Sequence, residues 1–145
     1  MFVADTNLLL HAANRDSPIH RNTKRLVNSW RQGSEPWYAT WPILYEFLRV
    51  ITHRNVLARP FTFEEAWNFL GGLLVSASFD ILIETRRHPE IVRELMAGYP
   101  DLSGSIMHDL HTVALMREHG VSEIRTLVKH FDRFTDLHVV NPLAA

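Results

Sequence analysis

The chain has 145 residues, of which 46% are hydrophobic and 21% charged, and its net charge is −1 at pH 7. That length supports one domain with a proper core, expected over residues 1–145, and is too short for two; the charge balance neither favours nor disfavours a nucleic-acid partner. With no cysteine in the chain, disulfide frameworks, thiolate catalysis and cysteine-based zinc sites are excluded.

Residues 2–11, "FVADTNLLLH", open with an apolar run that reads as a first strand and ends on Asp5. Thr6 and Asn7 follow, and "LLLHAAN" continues as a short helix. The segment 17–33 is expected as a second helix, with Ser17 as cap, Pro18 at the first helical position and Gly33 as stop. "PWYAT" (36–40) reads as the second strand. Thr40 then caps a helix whose apolar stripe is Trp41, Leu44, Tyr45, Leu48 and Ile51. Within 59–74, Thr62 and Glu65 make a capping box for the next helix. "FDILIE" (79–84) is a third strand, and 88–99 and 104–120 are two further helices closed by Gly98 and Gly120. "SEIRTL" (122–127) and "DLHVVNPL" (136–143) are two late strands. Strands alternating with helices pair in parallel through right-handed crossovers. The expected fold is therefore a three-layer α/β/α domain around a mainly parallel sheet of four to five strands.

Apolar runs break well before the roughly 18–20 residues of a membrane span, and no basic and apolar leader precedes the first strand. No membrane association and a cytoplasmic location are the resulting expectations. The cations are nearly all arginine, which suits bidentate contact with phosphate or carboxylate. The nine histidines show no HExxH pattern; His108 and His111 are three apart and are expected as a surface pair on one side of a helix.

Three acids stand where water is expected to be scarce. Asp5 ends the first strand, where open α/β sheets place their ligands, although capping a helix would also account for it. Glu46 lies mid-helix beside the apolar stripe. Asp109 shares a helical face with Ser105, Thr112, Val113 and Met116. Keeping such an acid charged costs several kcal/mol without compensation. A salt bridge to Arg49 or Arg125, or an exposed helix edge, would account for Glu46 or Asp109 singly. Together the three suggest a site for a hard cation, since Mg²⁺ and Mn²⁺ prefer oxygen ligands.

The blocks "FVADTNLLLHAAN", "TWPILYEFLRVITHRNVLARPFT", "HDLHTVAL" and "FDRFTDLHVVNPL" resemble, in order and spacing over nearly the whole chain, those of PIN-domain ribonucleases. They are most similar to the VapC toxins of bacterial VapBC toxin–antitoxin systems. The resemblance implies an Mg²⁺-dependent endoribonuclease toxin, with Mn²⁺ as a possible substitute, acting on tRNA or other structured RNA. It implies Asp5, Glu46 and Asp109 as the catalytic, metal-binding acids, with Asn7 orienting Asp5 and Thr6 beside it at the same turn. It also implies a VapB-type antitoxin partner that sets a cation among the acids, and a homodimer. Arg15, Arg49 and Arg133, each near one of these blocks, are the candidates for contact with the RNA backbone.

The chain departs from the family pattern at one place. Members usually carry a further Asp two residues after a Thr at the end of the fourth strand, and here Val128 stands at that position and His130 at another often occupied by Asp. Asp132 is expected to substitute, one helical turn from Val128 and leaning back toward its space. The alternative is a catalytically weakened PIN domain that binds RNA or antitoxin. A haloacid-dehalogenase-type phosphatase also opens with an acid after its first strand, but needs a second Asp where this chain has Asn7.

Overall fold

The computed structural model describes residues 1–144. Its elements run β1 (Phe2–Ala4), α1 (Thr6–Ala13), α2 (His20–Gln32), β2 (Trp37–Ala39), α3 (Trp41–Ile51), α4 (Phe63–Leu74), β3 (Phe79–Ile81), α5 (His88–Gly98), α6 (Ile106–Glu118), β4 (Glu123–Arg125), a 3₁₀ turn (His130–Arg133) and β5 (His138–Val140). The five strands form one sheet in the order β3-β2-β1-β4-β5. Every pairing is parallel, with Val3 opposite Tyr38 on one side and Ile124 on the other. Six helices flank the sheet, as a three-layer α/β/α arrangement requires. Among the described residues no helix is long and apolar enough to cross a membrane.

The order of the strands decides where a ligand can sit. From β1 the chain builds outward to β2 and β3, then returns to place β4 and β5 on the other side. The crossovers leave in opposite directions at β1 and β4, and a crevice opens outside their carboxyl ends. Asp5 and Thr126 follow those two strands; Asp5 lines the crevice, and Thr126 is buried behind it. β1 is short but fully buried. Around it Phe2, Trp30, Trp37 and Phe79 pack with centroids 4.6–6.1 Å apart. The Arg125 guanidinium lies 3.5 Å over the Phe2 ring, a cation–π contact that covers the sheet at that point.

Several local expectations need correction. α2 begins at His20, not after a Ser17 cap. Ser17 instead accepts from the Ile19 amide at 3.3 Å and pairs with His11 Nδ1 at 2.6 Å, so that Ser17–Ile19 forms a turn ahead of the helix. The buried stripe of α3 is Ile43, Leu44, Phe47, Leu48 and Ile51, while Trp41 and Tyr45 are exposed. The third strand stops at Ile81. The capping box of Thr62 and Glu65 forms with both of its bonds.

Candidate active site

Asp5 is the N-cap of α1 and is held by three donors. Its Oδ1 accepts the Thr6 amide at 2.8 Å, and its Oδ2 accepts Asn7 Nδ2 at 3.0 Å and the Thr126 hydroxyl at 2.9 Å. Asn7 gives its second amide proton to Thr126 Oγ1 at 3.0 Å, and its Oδ1 accepts the Leu127 amide at 3.0 Å. Thr126 Oγ1 also accepts the Val128 amide at 3.2 Å. One carboxylate is thereby locked to the ends of β1 and β4 together. Thr6 sends its hydroxyl away from Asp5, donating to the Ile43 carbonyl at 3.0 Å, and so fixes the start of α1 on α3.

Asp5, Asn7, Glu46, Arg49, His108, Asp109, Val128 and His130 line one cavity of about 720 Å³. Burial pushes the Asp5 carboxyl above its ordinary range, against the pull of its hydrogen bonds from Thr126, Thr6 and Asn7. Asp109 is raised as well, by burial first and then by the charge of Asp5, with His130 and His108 offsetting part of the effect. Burial resists the ionisation of both acids, and the charge of Asp5 adds to it at Asp109; a divalent cation between them would relieve both effects.

Glu46 is open to water beside the apolar stripe, and the salt bridge to Arg49 that would account for it singly is present. Its side chain is 47% exposed and bound to Arg49 through two contacts, Nη2–Oε1 at 2.6 Å and Nε–Oε2 at 3.0 Å. That fork holds the Glu46 carboxyl below the usual carboxylate range. Glu46 shares the cavity, but the three acids do not close to mutual ligand distance, with Glu46 turned to its arginine.

The donor set suits a hard cation. Asp5 Oδ1 carries one hydrogen bond and keeps a lone pair free, Asp109 makes no side-chain hydrogen bond among the described residues, and every candidate ligand atom is oxygen. The remaining expected residues fall elsewhere. Asp132 is exposed and not among the cavity residues, and the 3₁₀ turn replaces the α-helical turn that was expected to bring it beneath Val128. With about three residues per turn, Phe131 rather than Asp132 reaches the cavity. Arg49 lines the cavity, and Arg133 is close enough for its charge to act on Asp109. Arg15 lies in a separate hollow with Asp16, Arg59 and Glu65.

Sequence reasoning overlooked Thr126 and His108 as parts of this site. Thr126 was visible only as the end of a strand; what makes it matter is the pairing of β1 with β4, which no local pattern reveals. His108 and His111 do not act as a pair, for His108 lines the cavity while His111 bonds Glu84.

A family profile described as the PIN domain matches residues 2–137. Ribonuclease VapC33 of Mycobacterium tuberculosis is 31% identical over 146 aligned residues, covering 99% of each chain. The crystal structure of VapC20 from Mycobacterium tuberculosis, described as a toxin that cleaves the sarcin–ricin loop, superposes with a TM-score of 0.65 at 16% identity, over 92% of this chain and 95% of that one. The structure of VapBC2 from Rickettsia felis, bound to a DNA fragment from its promoter, matches at 0.62 with 14% identity over 96% of each chain. At such identities the two structures bear on the fold alone.

Proposed function

The chain belongs to the PIN-domain family, within its VapC group of ribonucleases, and on that footing we propose that it is an Mg²⁺- or Mn²⁺-dependent endoribonuclease acting as the toxin of a cytoplasmic toxin–antitoxin pair. The observation that carries this reading is the facing of Asp5 and Asp109 across one cavity at the switch point of the sheet, each carboxyl raised by burial. Glu46 joins them once it leaves Arg49. The substrate class that fits is a structured RNA, tRNA or a ribosomal stem–loop, whose unpaired loop can enter an open cavity.

A divalent ion held by Asp5, Asp109 and Glu46 would polarise the scissile phosphate and lower the pKa of a bound water. The chain's own residues do the positioning. Asn7 and Thr126 fix the Asp5 rotamer, and the Thr6 bond to Ile43 keeps α1 and α3 in register, so that Asp5 and Glu46 hold their relative places. Arg49, released from Glu46, carries a planar fork suited to a phosphate. Val128, Ile43 and Phe131 form apolar wall around the acids, which strengthens the electrostatic interactions inside.

The antitoxin follows from the same charges. An inserted Arg or Lys would neutralise acids that repel each other, and Arg49 already does this to Glu46 within the chain. Assembly as a homodimer is part of the proposal; the exposed aromatics Trp41, Tyr45, Phe63 and Trp67 on α3 and α4 supply apolar surface for it.

The test is cleavage of tRNA and ribosomal stem–loop RNA by the purified chain with Mg²⁺ or Mn²⁺. Asp5→Asn should abolish cleavage and relieve growth arrest while leaving the far-UV spectrum unchanged. Full toxicity in that variant removes the nuclease reading and leaves the binding-module reading, which Val128 in place of an acid favours.

A further inference from the structure

Away from the acid cavity, the connection between β3 and α5 meets the outer face of α6. There Glu84, His88 and His111 bring one carboxylate oxygen and one nitrogen from each ring within 4.8 Å of one another, the only such trio of potential ligands among the described residues. We propose that this trio is a second metal site, one for a borderline divalent ion of the Zn²⁺ class, which clamps the β3–α5 connection to α6.

The donors choose the ion. Two imidazoles and one carboxylate suit Zn²⁺ and its neighbours, whereas Mg²⁺ prefers oxygen alone. Tetrahedral ligands at about 2.0–2.1 Å from Zn²⁺ stand roughly 3.3 Å apart. The trio therefore needs only a small contraction, with a fourth position left for water. Glu84 Oε1 lies 2.6 Å from His111 Nε2 and is nearly half exposed, so it is free to swing out as the ion enters. The His88 and His111 rings stand edge to face with centroids 5.6 Å apart.

A second observation marks this as a built site. The Glu118 side chain is fully buried and spends its oxygens on the same connection. Its Oε2 holds His88 Nδ1 at 2.7 Å, and its Oε1 accepts the Thr85 amide and hydroxyl, each at 2.8 Å. A carboxylate on one ring nitrogen is the usual partner of a metal-bound histidine, and it fixes the tautomer that leaves the other nitrogen free. Glu84 and Glu118 also bring two negative charges, which a divalent ion balances. The ion would take the place of the proton between His111 Nε2 and Glu84, and the neutral ring would then carry its one proton on Nδ1.

None of Glu84, His88 and His111 lines the acid cavity, so the two sites can be tested apart. The chelator-stripped chain is titrated with ZnCl₂ alone, by calorimetry and thermal melting, and with CoCl₂ for the visible band of four-coordinate Co²⁺. Expected are one Zn²⁺ per chain, a melting temperature higher by roughly 5 °C or more at saturation, and affinity that falls on acidification, because protons compete with the ion for its ligands. Glu84→Gln, at an exposed position that the fold does not need, should weaken Zn²⁺ at least tenfold, and His88→Ala with His111→Ala should remove binding. Asp109→Asn should leave Zn²⁺ affinity unchanged while abolishing Mn²⁺-dependent cleavage. Absence of Zn²⁺ binding, or binding that survives Glu84→Gln and the histidine changes, overturns the proposal. So does loss of Zn²⁺ in Asp109→Asn, which would put the ion in the acid cavity.

Discussion

Thr126 shows how much one hydroxyl can govern. It donates to Asp5 and accepts from Asn7 and from the Val128 amide, all in a buried setting. Thr126→Val keeps the shape but strands both donors and frees Asp5 to rotate, at an expected cost of about 1–3 kcal/mol. Cleavage should fall much further than stability, and Thr126→Ser should restore it; denaturant melts beside cleavage rates check both. Asp109 is the reverse case. A carboxyl raised in the folded state gives stability that is complete below its unfolded value and is lost as pH rises through its folded value. Asp109→Asn should therefore melt higher than the parent in metal-free buffer at neutral pH. The gap should shrink toward zero near pH 4, about the unfolded value of Asp. Added Mn²⁺ should raise the parent alone. Val128→Asp, which sets an acid in the cavity wall, should tighten Mn²⁺ binding by calorimetry, while Asp132→Ala, at an exposed position off the cavity, should leave it unaltered.

α3 carries both Glu46 and Arg49, one turn apart, and so holds a ligand and its competitor on one rigid element. Arg49→Ala should release Glu46 and strengthen Mn²⁺ binding several-fold, yet weaken RNA binding by removing a phosphate contact; calorimetry and RNA titration on one preparation separate the two effects. The sequence revealed that this helix exists and that Thr40 caps it, because those signals are local. It placed Leu44, Leu48 and Ile51 on the buried face, as they are, but set Trp41 and Tyr45 there in place of Ile43 and Phe47, since counting from Trp41 starts the stripe on an exposed residue. The inward face is set by packing on α1 and α4, beyond the reach of a 3.6-residue period. The same holds after β4. No Gly or Pro forbids an α-turn there, but docking of Phe131 and Phe134 into the core draws the chain into a 3₁₀ turn and leaves Asp132 outside. Strand order, too, was open until β1 was found between β2 and β4, although Asp5 at a strand end already pointed to the sheet's carboxyl edge.

For the molecule as a whole, net charge is nearly zero, so RNA affinity must come from where the cations lie. The chemistry requires the scissile phosphate at the acid cavity, where Arg49 pairs with Glu46 and the charge of Arg133 acts on Asp109. Farther phosphates need other partners. α2 contains no acid, and its exposed Arg21, Lys24 and Arg25 follow one another at helical spacing along a shallow groove, without an ion-pair partner among the described residues. Arg15 lies in the turn just ahead of that helix. Each phosphate neutralised adds about 0.7–0.9 to the slope of log affinity against log salt, the lower figure for single strands. Removing Arg49 or Arg133 should lower the slope by about one such step and also slow cleavage, because the reacting phosphate loses a contact. Replacing Arg21, Lys24 and Arg25 together should lower the slope by up to about three steps while leaving the rate at saturating RNA unchanged, because only distant phosphates are lost. Binding isotherms at several salt concentrations, with single-turnover cleavage beside them, measure both quantities. A slope untouched by the α2 changes would confine the RNA to the rim of the acid cavity.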